Sequence, residues 1–267
     1  MTNIHSTAII DHRAELDSTV EIGPHVIIEG NVRIGPRTRV LANAYLCGDT
    51  KIGADNIIHM GCVIGHAPQH LAYKGAPTGV VIGDGNEFRE YVTIHRAAEE
   101  GHSTIIGNRC YLMALSHVAH DVVIGDDVIM ANGALLGGHV RVEDKVFISG
   151  NVGVHQFCAI GKLAMIGGLS KIVKDVPPFM LVDGNSEVVG INVVGLRRAG
   201  FDAETREKIK LAYKYLYRSG LNVSQALARI EQELQGCPPI AELVSFIRQS
   251  KRGIADHAPT LHEEQCL

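Results

Sequence analysis

The sequence predicts a mainly-β chain: a parallel β-solenoid of triangular coils over residues 1–190, followed by a small α-helical domain over 191–267. A six-residue hydrophobic period carries the first part. Counting in sixes from Ile4 to Ile172, 25 of 29 positions are Ile, Leu, Val or Met and one is Phe88, where composition alone would give about nine. Four residues after each stripe position the side chain is usually small, as at Ala8, Ala14, Val20, Thr38, Ala44, Cys62, Cys110, Ser116, Ala134, Cys158 and Ala164. Beyond about residue 190 the period disappears and helix-capping signals replace it.

A period of six fits neither an amphipathic helix nor an alternating strand. It suits a chain that runs straight for about five residues, turns, and runs straight again. Three such sides close an 18-residue triangular coil, and successive coils stack at about 4.8 Å. The stripe residue and the small residue then share the interior. Glycine often follows the stripe residue (Gly23, Gly35, Gly53, Gly107, Gly125, Gly161), as a tight corner would demand. Only His70, Ala76 and Glu100 break the stripe. Its phase survives, so loops near 66–80 and 97–103 should leave the prism while the coil continues beneath, and such loops commonly carry function. Asp175-Val176-Pro177-Pro178 should end the ladder, because proline cannot donate to it. Asp202 is placed to cap a helix reaching about Arg218. Asn222 with Gln225 forms a capping box, and Pro238-Pro239 opens a further helix closing near Gly253. The last dozen residues should be loose.

Composition excludes several classes. No 18-residue apolar run exists to span a membrane, and the start lacks a secretory signal. Of the six cysteines, Cys62, Cys110 and Cys158 fall in the small inward column, which points to a reduced, cytoplasmic protein rather than a disulfide framework. A net charge of -4 argues against general nucleic-acid binding.

Five of the 14 histidines, His95, His117, His120, His139 and His155, lie in or just after the second half of the repeat and outside the large inward column. They should therefore point outward or sit at corners. His120, His139 and His155 follow one another at close to one coil's length, which suggests that they present one imidazole each on a single ridge. His5, His12, His25, His59, His257 and His262 read instead as solvated surface groups.

The repeat resembles that of the hexapeptide-repeat acyltransferases, whose fold is a left-handed parallel β-helix; the hand comes from the resemblance and runs against the usual crossover rule. Within them, His117-Val118-Ala119-His120-Asp121, Gly137-Gly138-His139, His155-Gln156-Phe157, Thr93-Ile94-His95-Arg96, Gly184-Asn185, Gly195-Leu196-Arg197-Arg198 and Tyr217-Arg218-Ser219-Gly220 resemble the UDP-N-acetylglucosamine O-acyltransferases of lipid A synthesis. The resemblance covers nearly the whole chain. It implies transfer of a (3R)-3-hydroxyacyl group from acyl carrier protein to the sugar 3-hydroxyl. His120 matches the general base, Asp121 its orienting acid and Gly138 the oxyanion donor. His70, Tyr73, His95, His117, His139, His155, Gln156, Asn192 and Arg198 match positions around the nucleotide sugar. Gly168 matches a ruler at the end of the acyl groove, with Met165 close by. The resemblance further implies a homotrimer with sites between subunits, no cofactor and no metal. Seven basic residues against three acids from Arg197 to Arg218 would form a docking face for the acidic carrier protein.

The match departs in three places. His70 and Ala72 stand where an acid and a lysine are common, and Ala199 replaces a basic residue. These changes leave less positive charge for a diphosphate, and because the family includes members that accept a 3-amino sugar, a 3-amino UDP-sugar acceptor stays open. A γ-class carbonic anhydrase, with three histidines on zinc, shares the solenoid but needs neither the helical tail nor Gly-Gly-His. A non-catalytic β-helix would show a flat Thr-rich face. The related N-acyltransferase of the same pathway usually carries a domain before its repeat, which here begins at residue 4.

Overall fold

The computed structural model describes residues 3–257. It is a left-handed parallel β-helix closed at its far end by four α-helices. Three sheets form the sides of the prism. Sheet one starts at Asn3–Ile4, sheet two at Ile9–Ile10 and sheet three at Glu15–Leu16. In each, a strand pairs in parallel with the strand one coil later: Ile10 with Ile28, Leu16 with Ile34, Ile22 with Val40. Both inward columns are buried throughout their repeat from Val20 onward, including Thr38, Thr50, Asn56, Asn86, Thr104 and Ser116 among the polar ones. At the open end the first coil is less covered, and Ile4 is 43% exposed. Burial pushes the core thiols of Cys62, Cys110 and Cys158 up, to about 12, 11 and 11.

The glycines that follow the stripe serve a different purpose from the one expected. Gly35 and Gly107 have ordinary backbone angles, but a Cβ at Gly35 would lie 2.8 Å from the Gly53 carbonyl carbon of the next coil. Glycine is needed there because stacked corners approach closely. The left-handed residue that turns each corner comes two positions later and is mostly not glycine: His25, Arg37, Asn43, Asp55, Arg109, Leu115, Asp121, Asp127, His139, Lys145.

The two excursions keep register. Ile58 pairs with Phe88, a step longer than one coil by two sides of the prism, and Ile94 pairs with Val118, a step longer by one side. Strands at Val63–His66 and Gly79–Ile82 bound the first loop, and His95 and Ser103 bound the second. Near the prolines sheet three ends on a single parallel bridge, Ile160 to Val176, while sheet one continues through Met180–Asp183 and then turns back as an antiparallel strand, Glu187–Ile191.

Helices α1 (Val193–Arg198), α2 (Ala203–Tyr217), α3 (Val223–Glu233) and α4 (Pro238–Gln249) follow. Asp202 caps α2, Asn222 and Gln225 form the capping box of α3, and proline opens α4. The short α1 was not foreseen. Nor was the return of the chain to the sheet: Asp256–His257 pairs with Glu187–Val188, so the last dozen residues are not all loose, and residues 258–267, with His262, lie outside the described residues. No helix among the described residues is long and apolar enough to cross a membrane.

Candidate active site at the corner between sheets two and three

Stacking one coil on the next builds the site column by column. His120, Gly138 and Gln156 occupy one corner position in three successive coils, and Asp121, His139 and Phe157 the next. His120 is buried, with Nδ1 2.7 Å from Asp121 Oδ2. A Cβ on Gly138 would sit 2.6 Å from His120 Cε1, so the absence of a side chain makes room for the imidazole. The Gly138 N–H has no hydrogen-bond acceptor among the described residues. His139 stands edge-on to His120 at 5.2 Å, lies 3.8 Å from Asp121 Oδ2 and stacks flat on Phe157 at 4.5 Å.

The expected ridge is therefore corrected. Phe157, one full coil beyond His139, holds the third place, while His155 lies one position past its stripe residue, exposed, with Nδ1 donating to the Gln156 carbonyl at 3.0 Å. Nor are the histidines all outward: His95 is as buried as His120.

Both excursions wall this corner. The first brings the exposed His70 ring to 5.0 Å from His120. Tyr73 pins that loop: its hydroxyl donates to Ala76 O at 2.8 Å and accepts from Arg96 Nε at 3.1 Å. The second loop donates the Ala98 N–H to Asp121 Oδ2 at 3.0 Å. Burial alone would raise the Asp121 carboxyl, but the Ala98 N–H, His120 and His139 outweigh it and hold it below its ordinary value. The Asp121 N–H donates to Thr104 Oγ1 at 3.0 Å, an anchor that sequence reasoning missed; its signal was a polar residue in the small inward column.

On sheet two, His117 and His155 line a groove of about 370 Å³ with Leu135 and Lys171. His117 Nδ1 bonds Thr93 Oγ1 at 2.7 Å, and His95 packs edge-on to it at 4.9 Å. Burial, then His117, His66 and His120, depresses His95 to about 4. Burial, then His120, depresses His117. Both rings stay neutral beside His120.

The remaining candidates lie elsewhere in the subunit. Asn192 is buried as the cap of α1, its Oδ1 accepting from Gly195 N at 2.9 Å and its Nδ2 donating to Leu163 O at 2.8 Å. With Arg198 and Met165 it lines a cavity of about 520 Å³ at the corner between sheets three and one. Gly168 is exposed at the corner between sheets one and two. One subunit does not bring these four residues to His120. His120, Asp121 and His139 each offer a metal-ligand atom within 4.8 Å of the others, but as two imidazoles and a carboxylate rather than three imidazoles.

Comparison with known proteins decides the family. Residues 175–255 match the profile "Udp N-acetylglucosamine O-acyltransferase; Domain 2", and residues 31–66 and 103–138 match the bacterial transferase hexapeptide repeat. A curated acyl-(acyl-carrier-protein)--UDP-N-acetylglucosamine O-acyltransferase from Thermodesulfovibrio yellowstonii is 49% identical over 95% of this chain and 99% of its own length. The chain belongs to the UDP-N-acetylglucosamine O-acyltransferase family. Another relative of the same name, from Halorhodospira halophila, is 44% identical over 95% of this chain and 99% of its own. Solved acyltransferases of this family from Francisella novicida and Bacteroides fragilis superpose with TM-scores of 0.92 and 0.91, at 38% and 44% identity. They cover 96% and 94% of this chain, and 95% and 99% of their own.

Proposed function

We propose that this chain transfers a (3R)-3-hydroxyacyl group from acyl carrier protein to the 3-hydroxyl of UDP-N-acetylglucosamine, with His120 as general base. The observation that carries the reading is the buried His120–Asp121 pair set against the unbonded Gly138 N–H on one corner of the prism. The Asp121 carboxylate accepts a hydrogen bond from Nδ1–H, which keeps that proton on Nδ1 and leaves the Nε2 lone pair free. Nε2 accepts the proton of the sugar hydroxyl as its oxygen attacks the thioester carbon. The Gly138 N–H donates to the oxyanion that forms. The carbon–sulfur bond then breaks, and the proton on Nε2 passes to the departing sulfur. Neutral His95 and His117 suit this cycle, because only one imidazolium need form in the cluster.

The same reading makes the active assembly a homotrimer. His117, His120, His139, His155 and Gln156 lie on or beside sheet two, and Asn192 and Arg198 at the opposite corner, so the two sets meet only between neighbouring copies. Exposed Ile9 (65%), Leu115 (63%), Leu135 (48%) and Leu169 (80%) supply apolar area for that contact. The five cysteines among the described residues are all free and buried, which accords with a reducing, cytoplasmic setting.

The test is to incubate the purified protein with 3-hydroxyacyl carrier protein and UDP-N-acetylglucosamine and to weigh the product. A base-labile ester is expected. Transfer only to a 3-amino UDP-sugar, giving a base-stable amide, would replace the acceptor, and no transfer would sink the proposal. Light scattering at micromolar concentration should return three times the 28.8 kDa chain mass, and a monomer would contradict the shared site.

A further inference from the structure

The cavity at the corner between sheets three and one carries a charge that no role above absorbs. Arg109, Asp127, Lys145 and Leu163 hold the same corner position in successive coils. The Asp127 carboxylate is engaged by Arg109 from the coil before, at 2.7 and 3.0 Å. Lys145, in the coil after, has no acid within 4.0 Å among the described residues, and neither has Arg198. Both line the cavity, whose only acid is the already neutralised Asp127. Asn192 adds one N–H left over after its bond to Leu163 O, while Phe147 and Met165 make the floor apolar. Two uncompensated cations beside an amide donor select a ligand with two adjacent negative charges.

We propose that Lys145 is a further substrate-binding residue, its ammonium holding the diphosphate of the sugar nucleotide together with Arg198. The proposal rests on the acceptor reading above and on the cavity facing a neighbouring subunit's His120 corner. A phosphodiester, such as that of a carrier-protein prosthetic group, shares the chemistry, and the experiment separates the two.

Titration calorimetry with UDP and with uridine compares the full-length protein with Lys145→Asn, Lys145→Arg and the double variant Lys145→Asn, Ala199→Arg. Asparagine tolerates the left-handed angle at this corner (φ 58°), so the fold should be kept, which an unchanged Tm would verify. Lys145→Asn should weaken UDP by roughly ten-fold, the effect of one lost charge-assisted hydrogen bond. Uridine affinity and the KM for acyl carrier protein should not move. Lys145→Arg should retain UDP, and Ala199→Arg, which returns a cation to the same lining, should recover part of the loss. Unchanged UDP binding in Lys145→Asn, an equal loss for uridine, or a rise confined to the KM for the carrier protein would overturn the proposal. A wild-type protein that binds neither UDP nor UDP-N-acetylglucosamine would instead overturn the acceptor reading on which it rests.

Discussion

At the His120 corner nearly every charge is matched within the subunit: Asp121 takes His120, the Ala98 N–H and the approach of His139, and His95 and His117 are kept neutral by burial. At the Arg198 corner the reverse holds, and Lys145 and Arg198 stand exposed with no carboxylate within 4.0 Å among the described residues. The first arrangement is organised before substrate arrives, as proton transfer requires. The second keeps its charge in water until an anion replaces the solvent, as reversible binding requires. On the proposed reading, proton transfer and diphosphate binding sit on different corners of one prism, and changes at each should separate turnover from affinity.

The largest separation is expected at the His120 corner. His120→Ala should reduce kcat by about 10²–10⁴-fold while UDP-N-acetylglucosamine binding and Tm barely change. Gly138→Ala reaches the same base from another side. Its methyl would sit 2.6 Å from the imidazole, so it should lower kcat by an amount approaching that of the base deletion. If either variant keeps near wild-type turnover in a steady-state assay, this corner is not where the chemistry happens.

How legible the two corners were in the sequence differs for a physical reason. Along the prism one period fixes both burial and neighbourhood, so the inward columns and the nearness of His120 to Gly138, one coil apart, follow from counting. The count must be kept strictly: taking His155 for Phe157 moved a ring from the corner to the face, because a slip of two positions is a third of a side. The excursions left a gap in the stripe as their only trace. That they bring the Ala98 N–H to Asp121 and the His70 ring to His120 depends on loop conformations no periodicity encodes. At the other corner α1 spans only Val193–Arg198, with no stripe of its own, so Asn192 as its cap was invisible. Lys145 was hidden because one lysine in a repeat looks like any solvated corner.

Acyl-chain selection offers the next effect. A Cβ at Gly168 would meet only Gly150 O at 3.7 Å and Ser149 Cβ at 3.9 Å, ordinary contact distances, so a larger side chain is accommodated without strain. The wild type should prefer a donor of about fourteen carbons. Gly168→Met should shift that towards about ten, and at about 0.8 kcal/mol per buried methylene the change in selectivity is around two orders of magnitude. Competition between the two donors measures it. A wild type already preferring ten carbons, or an unchanged ratio in the variant, would place the ruler elsewhere.

Acid should strain the cluster before it strains the carboxylates. His95 is depressed to about 4 from an ordinary 6.5, so the folded state holds it neutral while the unfolded chain takes up a proton. Its contribution is complete above pH 6.5 and is lost as pH falls from there through about 4. At pH 5 the loss is about 2 kcal/mol. Asp121, also depressed, adds a loss of the same sign at lower pH. Urea unfolding at pH 7 and pH 5 should show this difference in the wild type and a smaller one in His95→Asn. Equal slopes in both would mean that His95 is not the group responsible.

The smallest effect concerns the donor, and here the structure trims the expectation. Of the seven basic residues from Arg197 to Arg218, Lys208 is held by Glu204 at 2.7 Å and Lys210 lies 3.6 Å from Glu207. Arg206 is turned to the Phe201 carbonyl and Arg218 donates to the Tyr213 hydroxyl. Arg197, Arg198, Arg206, Lys214 and Arg218 have no acidic partner within 4.0 Å among the described residues, so two of the seven charges on this face are paired and five are not. Such a face should still favour an acidic carrier protein, through a field that salt screens over about 8–10 Å. Raising salt from 0.05 to 0.3 M should therefore increase the KM for acyl carrier protein by a factor of only about two to five, with kcat unchanged. Lys214→Gln, which touches neither the His120 corner nor the cavity beside Arg198, should flatten that dependence. A salt-independent KM, or equal rates with acyl-coenzyme A, would mean that the donor is recognised through its acyl chain and thioester rather than through this face.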